Sequence, residues 1–333
     1  MQNMENTQVP ESKENRIEKV VTHDGIFHAD EVFAESVLKD LFPESMELKE
    51  GGKIDFVKYL RTRDEKFIAK ALKSKSVMII DRGGEDDIEN FNVDHHQIEG
   101  AGERKNGVKY ATAGLVWKYF GKEWIKYVDV YSRHSTEDKK QIGDKDWLKD
   151  IDKITKRSEL SDDEIDLIWN RIDESYVQLI DSRDTGQLES MNMTLTDGTQ
   201  LPGERFTLAE VVKLYNIDVH DGKNKQQKFD EAVGIFRTML LAIVNKQMDL
   251  ISGLRKFELR ESKFLSKDRA VIIDQKIPKE TVEFIIDNNK EFKKVEYYAA
   301  INAGGSYNIM VAPVKEGLRT YRNPNMIPEE LRL

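Results

Sequence analysis

Short apolar runs of strand length alternate with longer segments at helical spacing, and this alternation limits the fold more than any other feature of the chain. Val20 and Val21 begin a short strand that stops at Thr22-His23-Asp24-Gly25. A helix is expected from about Asp30 to Phe42, with Val32, Phe33, Ser36 and Val37 on one face. Asp55 to Arg61 suits a strand and Glu65 to Leu72 a short helix. Val77-Met78-Ile79-Ile80 reads as a buried strand ending at Asp81, and a brief strand around Phe91-Asn92-Val93 ends at Asp94. Thr112 is placed to cap a helix that reaches Phe120 and stops at Gly121. Strands interleaved with helices predict an α/β domain with a largely parallel sheet.

From Lys122 to about Asp181 the pattern becomes helical and highly charged, and Ser161-Asp162-Asp163-Glu164 is a capping-box signature opening a helix. Phe206 to Tyr215 reads as another helix, and Asp221 to Gln227 as a polar boundary or hinge. A long helix follows, with Phe229, Val233, Phe236, Leu240, Ile243 and Ile251 along one stripe. The remainder reads strand (Ala270 to Asp274), helix (Pro278 to Asn288), strand (Val295 to Ile301), a Gly304-Gly305 turn and strand (Tyr307 to Ala312). The expected organisation is a disordered tail (1–19), an α/β domain (20–221), a linker helix (222–262) and a smaller C-terminal α/β unit (263–333).

Composition removes several chemistries. None of the 333 residues is cysteine, which excludes disulfides, thiolate nucleophiles and any zinc site built on sulfur. A formal charge of −9 argues against binding nucleic acid by overall electrostatics and restricts such a substrate to a local groove. No segment approaches the roughly 20 apolar residues of a membrane span. The polar N-terminus, with Glu5, Glu11, Glu14 and Glu18, lacks the apolar core of a secretory signal, so the cytoplasm is the expected compartment. No Ser-His-acid set stands out, and the acids from Asp162 to Asp166 read as a helix start.

Four of the six histidines fall in two short motifs. His23 and His28 lie in THDGIFHADE directly after the first strand, and His95 and His96 in VDHHQ directly after another; between them Asp81 ends a strand before Gly83-Gly84. Ligands of open parallel sheets bind at the carboxyl ends of strands, so three strand ends are expected to deliver His, Asp and paired His side chains to one crevice. Imidazole and carboxylate without sulfur suit Mn²⁺, with Mg²⁺, Co²⁺ or Zn²⁺ as alternatives. The donors exceed what one ion needs, and two bridged ions roughly 3.5–4 Å apart would use them in phosphoryl transfer. Asp94 would orient a histidine ring or make an Asx turn. His23 and His28 could instead stabilise turns, and His134 and His220 are read as structural or exposed. Arg61 and Arg63 would clamp phosphates or form a solvated strand end. Ala113-Gly114-Leu115 offers small residues for close packing under the site.

HDGIFHADE, RTRD (Arg61 to Asp64), DRGG (Asp81 to Gly84), DHHQ (Asp94 to Gln97), AGLVWKYFG (Ala113 to Gly121) and IDSRDTG (Ile180 to Gly186) occur in one order. In that order they resemble the MYG exonuclease family, also called melanocyte-proliferating-gene-like proteins, a branch of the DHH phosphoesterase superfamily. The resemblance implies a DHH-type domain, a dinuclear Mn²⁺ or Mg²⁺ site, and 3′-to-5′ exonuclease action on the end of RNA or another single-stranded nucleic acid. It implies that His23, His28 and Asp81 hold one metal and that Asp30, Asp81, His95 and Asp184 hold the second, with Asp81 bridging. Asp181 competes with Asp184 for the last place, and His96 would face the substrate phosphate. The catalytic set so implied is Asp81, His95, His96 and Asp30, with His96, Arg61 and Arg63 toward the substrate. The first motif is His-x4-His-x-Asp, as in that family, where the wider superfamily has His-x3-Asp-x-Asp. Arg82 stands where the family has a small apolar residue, and the family continues past the position of Leu333 into a glycine–histidine segment that grips substrate. Two other readings stay open: a phosphoesterase acting on a nucleotide, dinucleotide or polyphosphate, and a non-catalytic metal-binding scaffold. A homo-oligomer is equally open.

Overall fold

The computed structural model describes residues 17–47, 53–55, 57–133, 158–188, 192–194, 199–202, 207–216, 224–259, 262–265, 269–301 and 307–311. His134, His220, the Gly304-Gly305 turn and all of the expected tail except Ile17 to Lys19 lie outside the described residues. Two compact units, residues 1–244 and 245–333, meet inside one long helix.

The first unit is built on a five-stranded sheet of β1 (Lys19–Thr22), β4 (Lys58–Arg61), β5 (Val77–Ile80), β6 (Asp86–Asp87) and β7 (Asn92–Val93), in the order β4-β1-β5-β7-β6. The first four in that order run parallel and only β6 is antiparallel. The fold is therefore α/β with a largely parallel sheet. The all-apolar β5 is buried at every position, as a strand covered on both faces must be. Because β1, β5 and β7 point the same way, the residues that follow them emerge at one edge of the sheet.

Two small pairings flank this sheet: β2 (Ser45–Glu47) with β3 (Lys53–Asp55), and β8 (Asn192–Thr194) with β9 (Gln200–Pro202). The strand expected over Asp55 to Arg61 is thus split between two sheets, and the Val57 amide turns away to bond Pro43 O at 3.2 Å.

Helix α1 (Ala29–Leu41) is buried at every position except Lys39. Two of its polar residues are held by partners: Ser36 Oγ donates to Val32 O (2.7 Å) and Val233 O (3.1 Å), and Asp40 accepts from Trp124 Nε1 (2.8 Å) and Arg237 Nε (2.6 Å). α1 packs along α3 (Thr112–Arg133). The short α2 (Glu65–Ala71) is capped by Asp64, whose carboxylate accepts from the amides of Lys66 and Phe67. α4 (Asp162–Ile172) opens with the expected Ser161–Glu164 capping box. It continues through a π-turn, Asp173–Val177, into α5 (Gln178–Asp184), and α6 (Leu208–Tyr215) is capped by Thr207.

α3 does not stop at Gly121, as expected from a glycine after an apolar helix, but runs on to Arg133. Gly121 is there for a crossing, not an end. A β-carbon on it would sit 2.7 Å from the Trp117 ring and 2.9 Å from Trp169 Nε1. At this crossing with α4 the two indoles exchange bonds: Trp117 Nε1 donates to Trp169 O (3.3 Å) and Trp169 Nε1 to Trp117 O (3.0 Å). Gly121→Ala should therefore destabilise the protein by about 1–3 kcal/mol through overpacking, although alanine is the better helix former by about 1 kcal/mol. Urea unfolding of the two proteins checks the sign.

The long helix α7 (Lys225–Lys256) carries buried Phe229, Val233, Phe236 and Leu240 along the expected stripe. The second unit holds a sheet of β10 (Ser262–Leu265), β11 (Ala270–Ile273), β12 (Tyr297–Ile301) and β13 (Tyr307–Val311), in that order. α8 (Lys279–Asn288) connects the parallel pair β11 and β12, and its Val282, Ile285 and Ile286 pack on Val271, Ile273 and Tyr298. β10 was not expected: SKFL is an edge strand, and its Phe264 packs against the core. Among the described residues no helix is long and apolar enough to cross a membrane.

Candidate metal centre

The three parallel strand ends place His23 after β1, Asp81 after β5, and Asp94-His95-His96 after β7. Buried Phe27 fixes the loop between β1 and α1: its backbone is clamped by Asn216, which accepts from Phe27 N (3.2 Å) and donates to Phe27 O (2.7 Å). The first turn of α1 then adds Asp30 and Glu31, where the helix N-terminus favours acids. Asp184 arrives from the end of α5.

Asp81 is the centre. Its backbone is left-handed (φ 54°), a conformation that Asp tolerates better than most residues but at some strain. One oxygen, Oδ2, lies 3.1 Å from His23 Nε2, which is also 2.9 Å from Glu31 Oε1. The other, Oδ1, accepts from Thr112 Oγ1 (3.1 Å) and lies 3.5 Å from His95 Nδ1. His95 Nδ1 is also 3.1 Å from Thr112 Oγ1, while its Nε2 is 3.0 Å from Asp184 Oδ2. Asp30 is fully buried and neither of its oxygens accepts a hydrogen bond; His95 Nδ1 stands 4.0 Å away.

Three overlapping groups can converge on a cation: His23, His28, Glu31 and Asp81; Asp81, Asp94, His95 and His96; and His28, Asp30 and Asp184. Every expected ligand falls in one of them, and Glu31 and Asp94 join as additional donors. The spacing suits a metal. Ligands at about 2.1 Å in an octahedral shell lie about 3.0 Å apart, close to the 2.9, 3.1 and 3.0 Å separations here.

The charges say the same. Burial pushes the Asp30 carboxyl well up, and the neighbouring Asp81, Asp184 and Glu31 push it further. Burial also raises Asp81, against the pull of His23 and His95. For His23 burial works downward, yet its bonds to Asp81 and Glu31 prevail and push it up to about 10. His95 is raised against burial by Asp184 and Asp81, and burial of Asp184 is outweighed by that same bond, which holds it low. Buried carboxylates thus crowd beside His23 and His95, whose protonated forms they favour. A divalent ion would neutralise the same carboxylates while leaving the imidazoles free to ligate, so the donor set fits one.

Asp94 performs the orienting role. Its Oδ1 is 2.7 Å from His96 Nδ1 and accepts from the His95 amide, and its Oδ2 accepts from the Gly84 amide at 2.7 Å. The His96 ring lies 4.2 Å from that of His95 and its side chain is 60 % exposed, facing a cleft that His23, His28, Asp81 and Asp94 also line. The Asp94 bond raises His96 above its ordinary range.

Asp181, the competitor of Asp184, is committed elsewhere. Its Oδ1 accepts from the Gly114 amide (2.9 Å) and its Oδ2 pairs with Arg104 Nη1 (2.8 Å). A β-carbon on Gly114 would sit 1.9 Å from Asp181 Oδ2, so the small residue is required there. Arg61 is neither a solvated strand end nor in the cleft lining: it is buried, with its guanidinium 4.3 Å from the Phe229 ring centroid and Nη2 donating to Gly25 O. Arg63 does line the cleft, 3.2 Å from His23 Nδ1. Arg82 turns from Asp81 to pair with Glu65.

The residues escaping the sequence reading were Glu31, an unremarkable acid in a first helical turn, and Thr112, read as a cap, whose hydroxyl bonds Asp81. Residues 19–332 match the family MYG1_exonuc, described as "Uncharacterised protein family (UPF0160)". The chain belongs to this family. A MYG1 protein of Schizosaccharomyces pombe is 23 % identical over 326 residues, covering 96 % of this chain and 85 % of that protein. A MYG1 protein of Dictyostelium discoideum is 34 % identical over 109 residues, 32 % of this chain and 29 % of its own. No solved structure matches the chain. Every residue of the centre lies inside the span matched by the MYG1 family.

Proposed function

We propose that the chain is a divalent-metal-dependent phosphoesterase of the DHH type, acting in the cytoplasm as a 3′-to-5′ exonuclease on RNA or another single-stranded nucleic acid. The observation that carries this is Asp81, whose two oxygens face different donor groups, His23 with Glu31 on one side and Thr112 with His95 on the other. An aspartate so placed is the natural bridge of a two-metal site. His23, His28, Glu31 and Asp81 would hold one ion and Asp30, Asp81, His95 and Asp184 the other, with Mn²⁺ the preferred metal and Mg²⁺ the alternative. Bound there, such ions supply a water nucleophile of lowered pKa and stabilise the charge of the phosphoryl group.

The protein's own groups do the rest. Asp94 occupies Nδ1 of His96, which leaves Nε2 to bond a substrate phosphate oxygen and to supply a proton where the leaving oxygen develops charge. Thr112 fixes the rotation of both Asp81 and the His95 ring. Arg63 adds a cation at the cleft wall.

A second reading, hydrolysis of a nucleotide, dinucleotide or polyphosphate, is favoured by the charge of −9 and by a cleft of about 460 Å³. A panel of labelled RNA, single-stranded DNA, dinucleotides and polyphosphate, each with Mn²⁺, Mg²⁺ or chelator, decides between them. The expected result is Mn²⁺-dependent release of mononucleotides from RNA 3′ ends. Preference for dinucleotides selects the second reading, and no turnover of any substrate leaves a metal-binding scaffold.

A further inference from the structure

Arg61, the first residue of the RTRD motif, takes no part in the chemistry proposed above. It ends β4 in register with Thr22 at the end of β1, at the root of the loop that carries His23 and His28. Its guanidinium carbon lies 4.3 Å from the Phe229 ring centroid and 5.2 Å from that of Phe27. Nη2 donates to Gly25 O at 3.2 Å, whereas Nε and Nη1 are buried and meet no acceptor among the described residues. Burial works against its charge, and Glu31 is the carboxylate that opposes burial most. A methionine would fill the same slot without taking a cation out of water. An arginine there is explained by what its polar end reaches, the Gly25 carbonyl. Gly25 turns the loop at φ 102°, a conformation that favours glycine. Arg61 thus touches the loop twice, at the Gly25 carbonyl and at the Phe27 ring, while Asn216 clamps the Phe27 backbone.

We propose, resting on the two-metal reading above, that Arg61 is a positioning residue for one of the two ions. By fixing the loop between His23 and His28, it sets the geometry of the ion held by His23, His28, Glu31 and Asp81. The ion held by Asp30, Asp81, His95 and Asp184 does not depend on it, because those ligands other than Asp81 come from α1, α5 and the end of β7. Charge and geometry act with opposite signs here. A cation near the centre repels a metal ion, so deleting the charge alone would tighten Mn²⁺ binding. Releasing the loop would weaken it, as losing an outer partner of a metal ligand does.

Calorimetric titration of Mn²⁺ into the metal-free full chain, with EPR spectra of the loaded protein, tests this. The unmodified chain should bind two ions as a spin-coupled pair. Arg61→Met, which keeps an apolar stem between the rings, should bind one of them about 10–100-fold more weakly. Its spectrum should then show the hyperfine lines of an isolated Mn²⁺. Arg61→Lys keeps the charge but loses the flat fork, and should weaken the same ion by a smaller factor. Gly121→Ala, strained at the distant Trp117–Trp169 crossing, should keep the coupled pair and serves as the destabilised control. Unchanged or tighter binding of both ions in either folded Arg61 variant overturns the proposal. So does an equal loss in Gly121→Ala, which would show that lowered stability alone empties the site. An unmodified chain that binds no Mn²⁺ refutes the two-metal reading and this inference with it. A coupled pair retained by the Arg61 variants refutes this inference alone.

Discussion

Asp30→Asn should raise the stability of the metal-free protein and at the same time abolish its stabilisation by Mn²⁺. The two effects have one origin. Asp30 is fully buried, accepts no hydrogen bond, and shares its surroundings with Asp81, Asp184 and Glu31. Its carboxyl is raised in the folded state, so its contribution runs opposite to that of a salt-bridged acid. The group favours folding when protonated, and this advantage is lost as the pH rises above the unfolded value of 3.8. The ionised form is therefore disfavoured inside the fold, and a bound cation would relieve it. An amide of the same shape removes the charge and with it the repulsion from Asp81, Asp184 and Glu31. The expected gain is about 1 kcal/mol in chelator. The loss in Mn²⁺ affinity should exceed the 10–100-fold typical of removing an outer partner of a metal ligand, and turnover should fall with it. Thermal unfolding with and without Mn²⁺ reads both effects, and a variant that is less stable in chelator would refute the argument.

The second large effect lies beneath the centre. Arg104 is buried between two carboxylates: Nε and Nη2 reach Asp173 at 2.9 and 2.7 Å, Nη1 reaches Asp181 at 2.8 Å, and the guanidinium stacks 4.2 Å over Tyr110. Arg104→Met keeps the stem and deletes the charge, leaving two buried carboxylates without their cation. Breaking one side of such a pair costs about 3–5 kcal/mol. Burial already pushes Asp181 up to about 7 with Arg104 in place. In the variant this carboxyl must take a proton to stay inside, so the variant should regain stability as the pH falls from 7 to 5. Urea unfolding across that range measures it. A second change, Asp181→Leu, should restore part of the loss at pH 7, because it removes one of the stranded charges. A loss below about 1 kcal/mol would show that the pair is dispensable.

The parts that were legible in the sequence are those where an apolar run meets a polar residue abruptly. Val20-Val21, Val77 to Ile80 and Asn92-Val93 marked three strands, and parallel pairing then brought His23, Asp81 and His95 together. The helix from residue 29 to 41 was legible in extent but not in environment. Val32, Phe33, Ser36 and Val37 were expected on one face, whereas nearly every side chain of α1 is covered. Burial of Asp40 depends on partners as distant as Trp124 and Arg237, which no local pattern announces. Gly121 misled because glycine ends a helix in one context and admits a neighbouring helix in another, and only the Trp117–Trp169 crossing distinguishes them. Arg61 and Arg63 looked alike two residues apart. The last position of the strand sends the first against the Phe27 and Phe229 rings, and the second, just beyond the strand, lines the cleft.

The left-handed backbone at Asp81 has an outcome for how such a chain can drift. At φ 54° the peptide geometry is easiest for glycine and acceptable to asparagine. The residue that the proposed chemistry requires is thus one that the backbone merely tolerates. Replacing it by either would relax the turn, remove a buried charge and leave the sheet intact. Either change would trade the Thr112 and His23 partners of Asp81 for the easier turn. An asparagine here would suit the turn and lose the bridging carboxylate of the proposed two-metal site.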